Sequence, residues 1–351
     1  MLDLMITRRS ALLLLSTTAI AGLGCERQSR SANRYPQGYP PGQYPPGQYP
    51  PGQYPPGQYP PGQPPPGAPP GTPPMPANLP PVYNDPINNL DVAFMRQRSQ
   101  DVMRDLIAAL PTNKQSAVTG VPLVIDDTVG EVNAFAACTK GKALMAISDG
   151  LMEIQAQMAR TRATDEIFGT RKFDEYLQFV ARNQQPKQPI VRPAGNFFDP
   201  VQDADGRKVR RQHQMFDEEL AFVLGHELGH HYLQHTGCVG AQSPFITPAD
   251  LGRVLSGVVP GFNQPNEIAA DQHGTTNLLN AGRRRQDYQW TENGALLTLN
   301  FFLALKDLTP AESVLFGFQL SHPHPSFRIP IVRQTADNWR RSGGTAQPFP
   351  F

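Results

Sequence analysis

Five consecutive residues, His226-Glu227-Leu228-Gly229-His230, have the types and spacing to carry out a reaction. Two histidines four positions apart on a helix point the same way, so both imidazoles can bind one metal ion. The glutamate between them then lies beside any water on that metal, where a carboxylate acts as a general base. Such a centre needs a third protein ligand that leaves one coordination position open, supplied by another element downstream. Glu267 is the best candidate, within Asn266-Glu267-Ile268-Ala269-Ala270-Asp271. Asp271, four residues further on, shares the face of Glu267 and can accept the spare N–H of a ligating histidine. The other reading of this stretch is an acidic helix start with solvated charges.

Helices must hold these side chains. The sequence predicts the first over Phe216 to Gln234, with Asp217, Glu218 and Glu219 in its first turn, where negative charge suits the dipole, and Gly237 beyond its end. On that helix His231 and His235 fall off the face shared by His226 and His230, as exposed or packed residues rather than ligands. A second helix is expected from Asn266 to about Asn280. Upstream, helical spacing runs from Asp91 to Leu110 through Phe94, Met95, Val102, Leu106 and Ile107, and Pro111 ends it. Val121 to Ile125 reads as a strand, and Val132 to Cys138 and Ala143 to Ser148 read as two more, joined around Lys140-Gly141. Leu151 to Thr161 is helical again. Arg162 to Gln214 is mixed and polar and reads as an insertion with one helix near Phe173 to Arg182. The expected fold class is α+β, mainly helical, with a small sheet beside the metal-binding helix.

The N-terminal part is built differently. Residues 1–25 read as an export signal, with Arg8 and Arg9 ahead of an apolar run from Ala11 to Leu23 that is too short to span a bilayer. The run stops at Gly24-Cys25, as bacterial lipoprotein signals do, which makes Cys25 the residue to be lipidated. Cutting after Ala19-Ile20-Ala21 would instead leave Cys25 free. Residues 26–81 are low complexity, with Tyr-Pro-Pro-Gly-Gln repeated at Tyr39, Tyr44, Tyr49, Tyr54 and Tyr59. Paired prolines favour extended polyproline II, and the stretch has too little apolar surface to order itself. It reads as a stalk, or as a segment that binds an envelope partner through its tyrosines. The expected location is the periplasm, with a lipid anchor in the outer membrane.

Residues 82–351 are long enough for one domain with a proper core. A net charge of +1 gives no sign of a nucleic-acid partner. Ala295 to Leu308 is the nearest thing to a later membrane span, but Asn300, Lys306 and Asp307 interrupt it. Cys138 and Cys238 remain after the signal, and in an oxidising compartment they read either as a disulfide or as two separate buried thiols.

Glu-Leu-Ala-Phe-Val-Leu-Gly-His-Glu-Leu-Gly-His-His (219–231), followed by Glu-Ile-Ala-Ala-Asp (267–271), resembles the HtpX/BepA-type gluzincin peptidases. Two further stretches are similar to that family: Asn133-Ala134-Phe135-Ala136 with Ser148-Asp149-Gly150-Leu151-Met152, and His322-Pro323-His324-Pro325-Ser326-Phe327-Arg328-Ile329. The resemblance implies a zincin-like metallopeptidase domain with one Zn²⁺ per chain, held by His226, His230 and Glu267, and Glu227 as base. The donor set alone would accept other divalent ions, and the family favours zinc. By the same resemblance, Asn133 to Ala136 form an edge strand that pairs with an extended polypeptide substrate. His322 lies near the metal, where it stabilises the oxyanion or plugs the resting site as a ligand. His324 belongs to the turn or surface, and Arg328 anchors the C-terminal segment through a carboxylate. The implied function is a zinc-dependent endopeptidase of the cell envelope acting on extended or misfolded proteins. One alternative is a zinc-stabilised scaffold or chaperone lipoprotein that seldom cleaves, although a purely structural site needs no Glu227. Another places the function in the tyrosine-proline segment, as an adhesion module. The sequence departs from the family pattern at Ala137-Cys138-Thr139-Lys140, where a Pro-Gly-Gly turn is usual, and in the length of the 162–214 segment.

Overall fold

The structure is a computed structural model, and the residues it describes are 79–238, 263–309 and 322–345. The export signal with Cys25, and the repeat segment as far as residue 78, lie outside the described residues. The folded part reaches slightly into the expected stalk, because Leu79 and Pro80 pack closely on Gly206 and the Val82 amide donates to the Ala204 carbonyl at 2.7 Å.

Helix α1, Val92–Ala109, is capped by Asp91, whose carboxylate accepts the Phe94 amide at 3.1 Å. Met95, Val102, Met103 and Leu106 form its buried stripe. Pro111 does end that periodicity, but it also opens a short helix that was not expected, α2, Thr112–Val118. The sheet follows: β1, Leu123–Asp126; β2, Ala134–Thr139; β3, Lys142–Ser148. The order is β1-β3-β2, with β1 parallel and β2 antiparallel to β3. β3 is therefore central, and its apolar run from Ala143 to Ile147 is buried. Lys140 and Gly141 both take positive φ, 50° and 76°, as a two-residue hairpin turn requires. β2 is left as an edge.

Ser148 caps α3, Asp149–Phe168, and Gly169 ends it in the left-handed conformation. Then come α4, Lys172–Asn183, α5, Pro200–Ala204, and α6, Gly206–Tyr232. The polar stretch 162–214 is thus mostly helical. Its first residues complete α3 and its last ones begin α6, leaving 184–199 irregular. These turns lack an apolar stripe because ion pairs bury them instead. Lys208 and Arg160 meet Asp203, Arg211 meets Glu166, and Gln212 and His213 meet Asp85. With Asp205 as the cap, Asp217, Glu218 and Glu219 are not a first turn but buried residues in mid-helix.

The remaining described elements are α7, Gln264–Arg283, α8, Asn293–Leu308, and α9, Pro325–Arg341. α6 and α7 cross at backbone contact. A Cβ on Gly274 would stand 2.8 Å from the His226 nitrogen, and Gly225 and Gly229 face Gly274 and Ala270 in the same way. No described helix is long and apolar enough to cross a membrane. A disulfide joins Cys138, in β2, to Cys238, just past the end of α6, with Cα atoms 5.6 Å apart.

Candidate active site

The glycine-lined crossing of α6 and α7 sets the geometry of the site, because it brings the first turn of α7 beside the last turns of α6. His226 and His230 lie one above the other on α6, their rings 4.7 Å apart and nearly perpendicular. Their Nε2 atoms are 3.1 Å from each other. Glu267 reaches both from α7: Oε2 is 3.4 Å from His226 Nε2, and Oε1 is 3.3 Å from His230 Nε2. All three residues are at most 1 % exposed.

These donors fit a divalent cation. Donors on a tetrahedral zinc with bonds of about 2.0–2.1 Å stand about 3.3 Å apart, close to the separations found. Glu267 Oε1 is buried without a hydrogen-bond partner although His230 Nε2 is near, as expected for two lone pairs converging on an ion. Burial raises the Glu267 pKa, but contacts with His226, His230 and His322 outweigh it and hold the carboxyl far below the usual range. Burial and Arg328 disfavour a positive His226, yet Asp271 and Glu267 prevail and lift it to about 9. An imidazole between two buried carboxylates attracts a cation. Burial lowers His230 to about 3, so that ring is neutral, whereas the proton that His226 retains must leave before it can ligate a metal.

Glu227 points into the same space. Burial, the largest influence, pushes its carboxyl up to about 8 against the opposing pull of His226. Asp271 takes the outer side of His226, with Oδ1 2.9 Å from Nδ1. Arg328 comes from α9 to pair with Asp271 at 2.7 and 2.9 Å, and its Nη2 also lies 3.2 Å from His226 Nδ1. Both partners of that ion pair are buried. His322 sits between two carboxylates, with Nδ1 3.0 Å from Glu267 Oε2 and Nε2 3.6 Å from Glu227 Oε1. His324 stays out of the cluster and caps α9 through the Ser326 amide. Asn133 and Ala134 to Ala136 lie along the edge of the sheet and are at most 9 % exposed.

Two histidines beyond the motif separate. His231 is fully buried and bonds the Leu144 carbonyl of β3 at 2.9 Å, tying α6 to the sheet. His235 does not point away, as a straight helix would have it, but places Nδ1 2.9 Å from His230 Nδ1. Its backbone amide donates to the His230 carbonyl at 2.9 Å and Gln234 takes a φ of 65°, so the chain folds back over the helix end. The one hint in the sequence is Gly237, which marks a stop but not the direction of the return.

No curated protein and no solved structure matches the chain. Among protein families, Peptidase family M48 matches it over residues 96–336. That span holds the edge strand, the two crossing helices and the start of α9, all of which build the cluster around His226. On this match, over well more than half of its length, the chain belongs to peptidase family M48, a family of zinc metallopeptidases.

Proposed function

We propose that the protein is a zinc-dependent endopeptidase that hydrolyses extended or misfolded polypeptides in the bacterial cell envelope. The observation that supports it best is the convergence of His226, His230 and Glu267 on one point, with the Glu227 carboxylate and the β2 edge beside them. His226, His230 and Glu267 would hold the ion. The chemistry zinc supplies there is Lewis acidity toward water and toward the scissile carbonyl. Glu227 accepts a proton from the attacking water and delivers it to the leaving amine, so that one water is added across the C–N bond. The β2 edge would bind the substrate backbone by strand addition, a mode tolerant of side-chain sequence and suited to unfolded chains. His322 stands where it can donate to the developing oxyanion once the substrate displaces it from Glu267. The site is closed at rest, since Glu227 is only 1 % exposed, and must open to admit a peptide. Lipid on Cys25 and the 26–81 stalk would hold this domain at the outer membrane.

The test is the metal content and casein cleavage of the full chain, wild type beside Glu227→Gln. One zinc per chain in both, with cleavage in the wild type alone, is the expected result. Zinc in neither would overturn the reading. Zinc in both with cleavage in neither would favour a zinc-stabilised scaffold over a peptidase.

A further inference from the structure

We propose that His235 is a positioning residue for the metal centre: its ring accepts the Nδ1–H of His230 and so turns the His230 Nε2 lone pair toward Glu267 and His226. This rests on the reading of His230 as a ligand. The two histidines of the motif are supported in unlike ways. His226 has a buried carboxylate, Asp271, on its outer nitrogen, and that carboxylate is itself paired with Arg328. The outer nitrogen of His230 faces another imidazole, with Nδ1 to Nδ1 at 2.9 Å and the rings 5.1 Å apart at 64°. A histidine that ligates through Nε2 carries its proton on Nδ1, so the partner there must accept. Neutral His235, protonated on Nε2, does so.

The backbone shows that the placement is built in. α6 closes with paired bonds, His235 N–H to the His230 carbonyl at 2.9 Å and Gln234 N–H to the His231 carbonyl at 2.9 Å. This is the Schellman pattern, in which the residue after the left-handed position returns over the helix end. The left-handed position is usually glycine, and here Gln234 occupies it at φ 65°. The turn therefore delivers residue 235 onto the turn of helix that carries His230.

The test is the zinc affinity of the full chain, measured against a chromophoric chelator, for wild type, His235→Ala and His235→Asn. Asparagine keeps an acceptor near the position of Nδ1 and alanine removes it. Loss of an outer partner weakens metal binding on the order of 10- to 100-fold, which is the result expected for His235→Ala, with His235→Asn recovering most of it. Melting of the metal-free proteins should be alike. Equal affinity in all three would overturn the proposal, as would equal loss in both variants, which would mark His235 as packing. A wild type that binds no zinc would remove the metal reading itself and this inference with it.

Discussion

α6 carries two groups of buried ionisable residues, and they differ in what surrounds them. Toward its middle, Asp217, Glu218 and Glu219 are each at most 1 % exposed. Asp217 is met by Arg98 and by the Tyr288 hydroxyl, Glu218 by the amide and hydroxyl of Thr291, and Glu219 by the Thr298 hydroxyl. These carboxylates point outward to separate neighbours on α1 and α8 and on the stretch before α8. Two turns later, His226, Glu227 and His230 point with Glu267 toward one place. Burial is equal in the two groups and so cannot be what makes a site. Carboxylate oxygens without a partner occur in both groups; convergence of the donors on one point distinguishes the second.

That contrast can be tested directly. Glu227→Gln is expected to lower peptidase turnover by about 10²- to 10⁴-fold, the usual worth of a general base, with bound zinc retained. Glu219→Gln, equally buried, is expected to leave turnover unchanged, because Glu219 meets the Thr298 hydroxyl and is not one of the converging donors. Comparable losses in both variants would erase the distinction. Next in size, Arg328→Ala leaves Asp271 buried beside His226 without its cation, at a cost of roughly 3–5 kcal/mol in urea unfolding. Arg98→Ala should cost less, since Tyr288 still donates to Asp217. A smaller effect is expected for Gly274→Ala, whose new methyl would meet the His226 backbone. Overpacking of that kind costs about 1–3 kcal/mol, and zinc affinity should fall with it because α7 must retreat.

The last effect concerns pH. Burial, only partly offset by Arg211 and Thr291, raises Glu218 from its ordinary 4.5 to about 7. Between those values the unfolded chain has lost the proton that the folded chain retains. Stability is therefore expected to fall as pH rises through that window, and to change no further from this group above it. In Glu218→Gln, unfolding midpoints measured from pH 4 to 8 should show a flatter profile. An identical slope in wild type and variant would mean that Glu218 ionises normally.

Much of the site is legible in the sequence because it depends on local periodicity. The i, i+4 spacing of His226 and His230, and of Glu267 and Asp271, survives intact from sequence to structure, since a helix fixes it regardless of surroundings. The hairpin at Lys140-Gly141 is legible for the same reason. Other features are tertiary. Arg207 to Gln214 has no apolar stripe, so periodicity does not predict that α6 starts at Gly206; Asp85 and Glu166, distant in sequence, and Asp203, just before the helix, neutralise those turns. Gly225, Gly229 and Gly274 are visible as residues, but not as the two sides of one helix crossing. His235 escaped because angular counting along a helix stops working at its last turn. Gln234 reverses the chain and brings a residue from the far side back to the near one.

The disulfide between Cys138 and Cys238, 100 positions apart, closes the chain into a covalent ring. β3 and α3 to α6 lie inside it, including His226, Glu227 and His230, whereas Glu267, His322 and Arg328 belong to the tail beyond. A single backbone cut inside the ring, for example in the irregular 184–199 stretch, leaves one molecule rather than two fragments, with the histidine pair still joined to the edge strand. The same cut in the tail, between Cys238 and Glu267, leaves the carboxylate side of the centre with no covalent link to the histidine pair. Covalent continuity thus survives a nick on one side of the centre and not on the other.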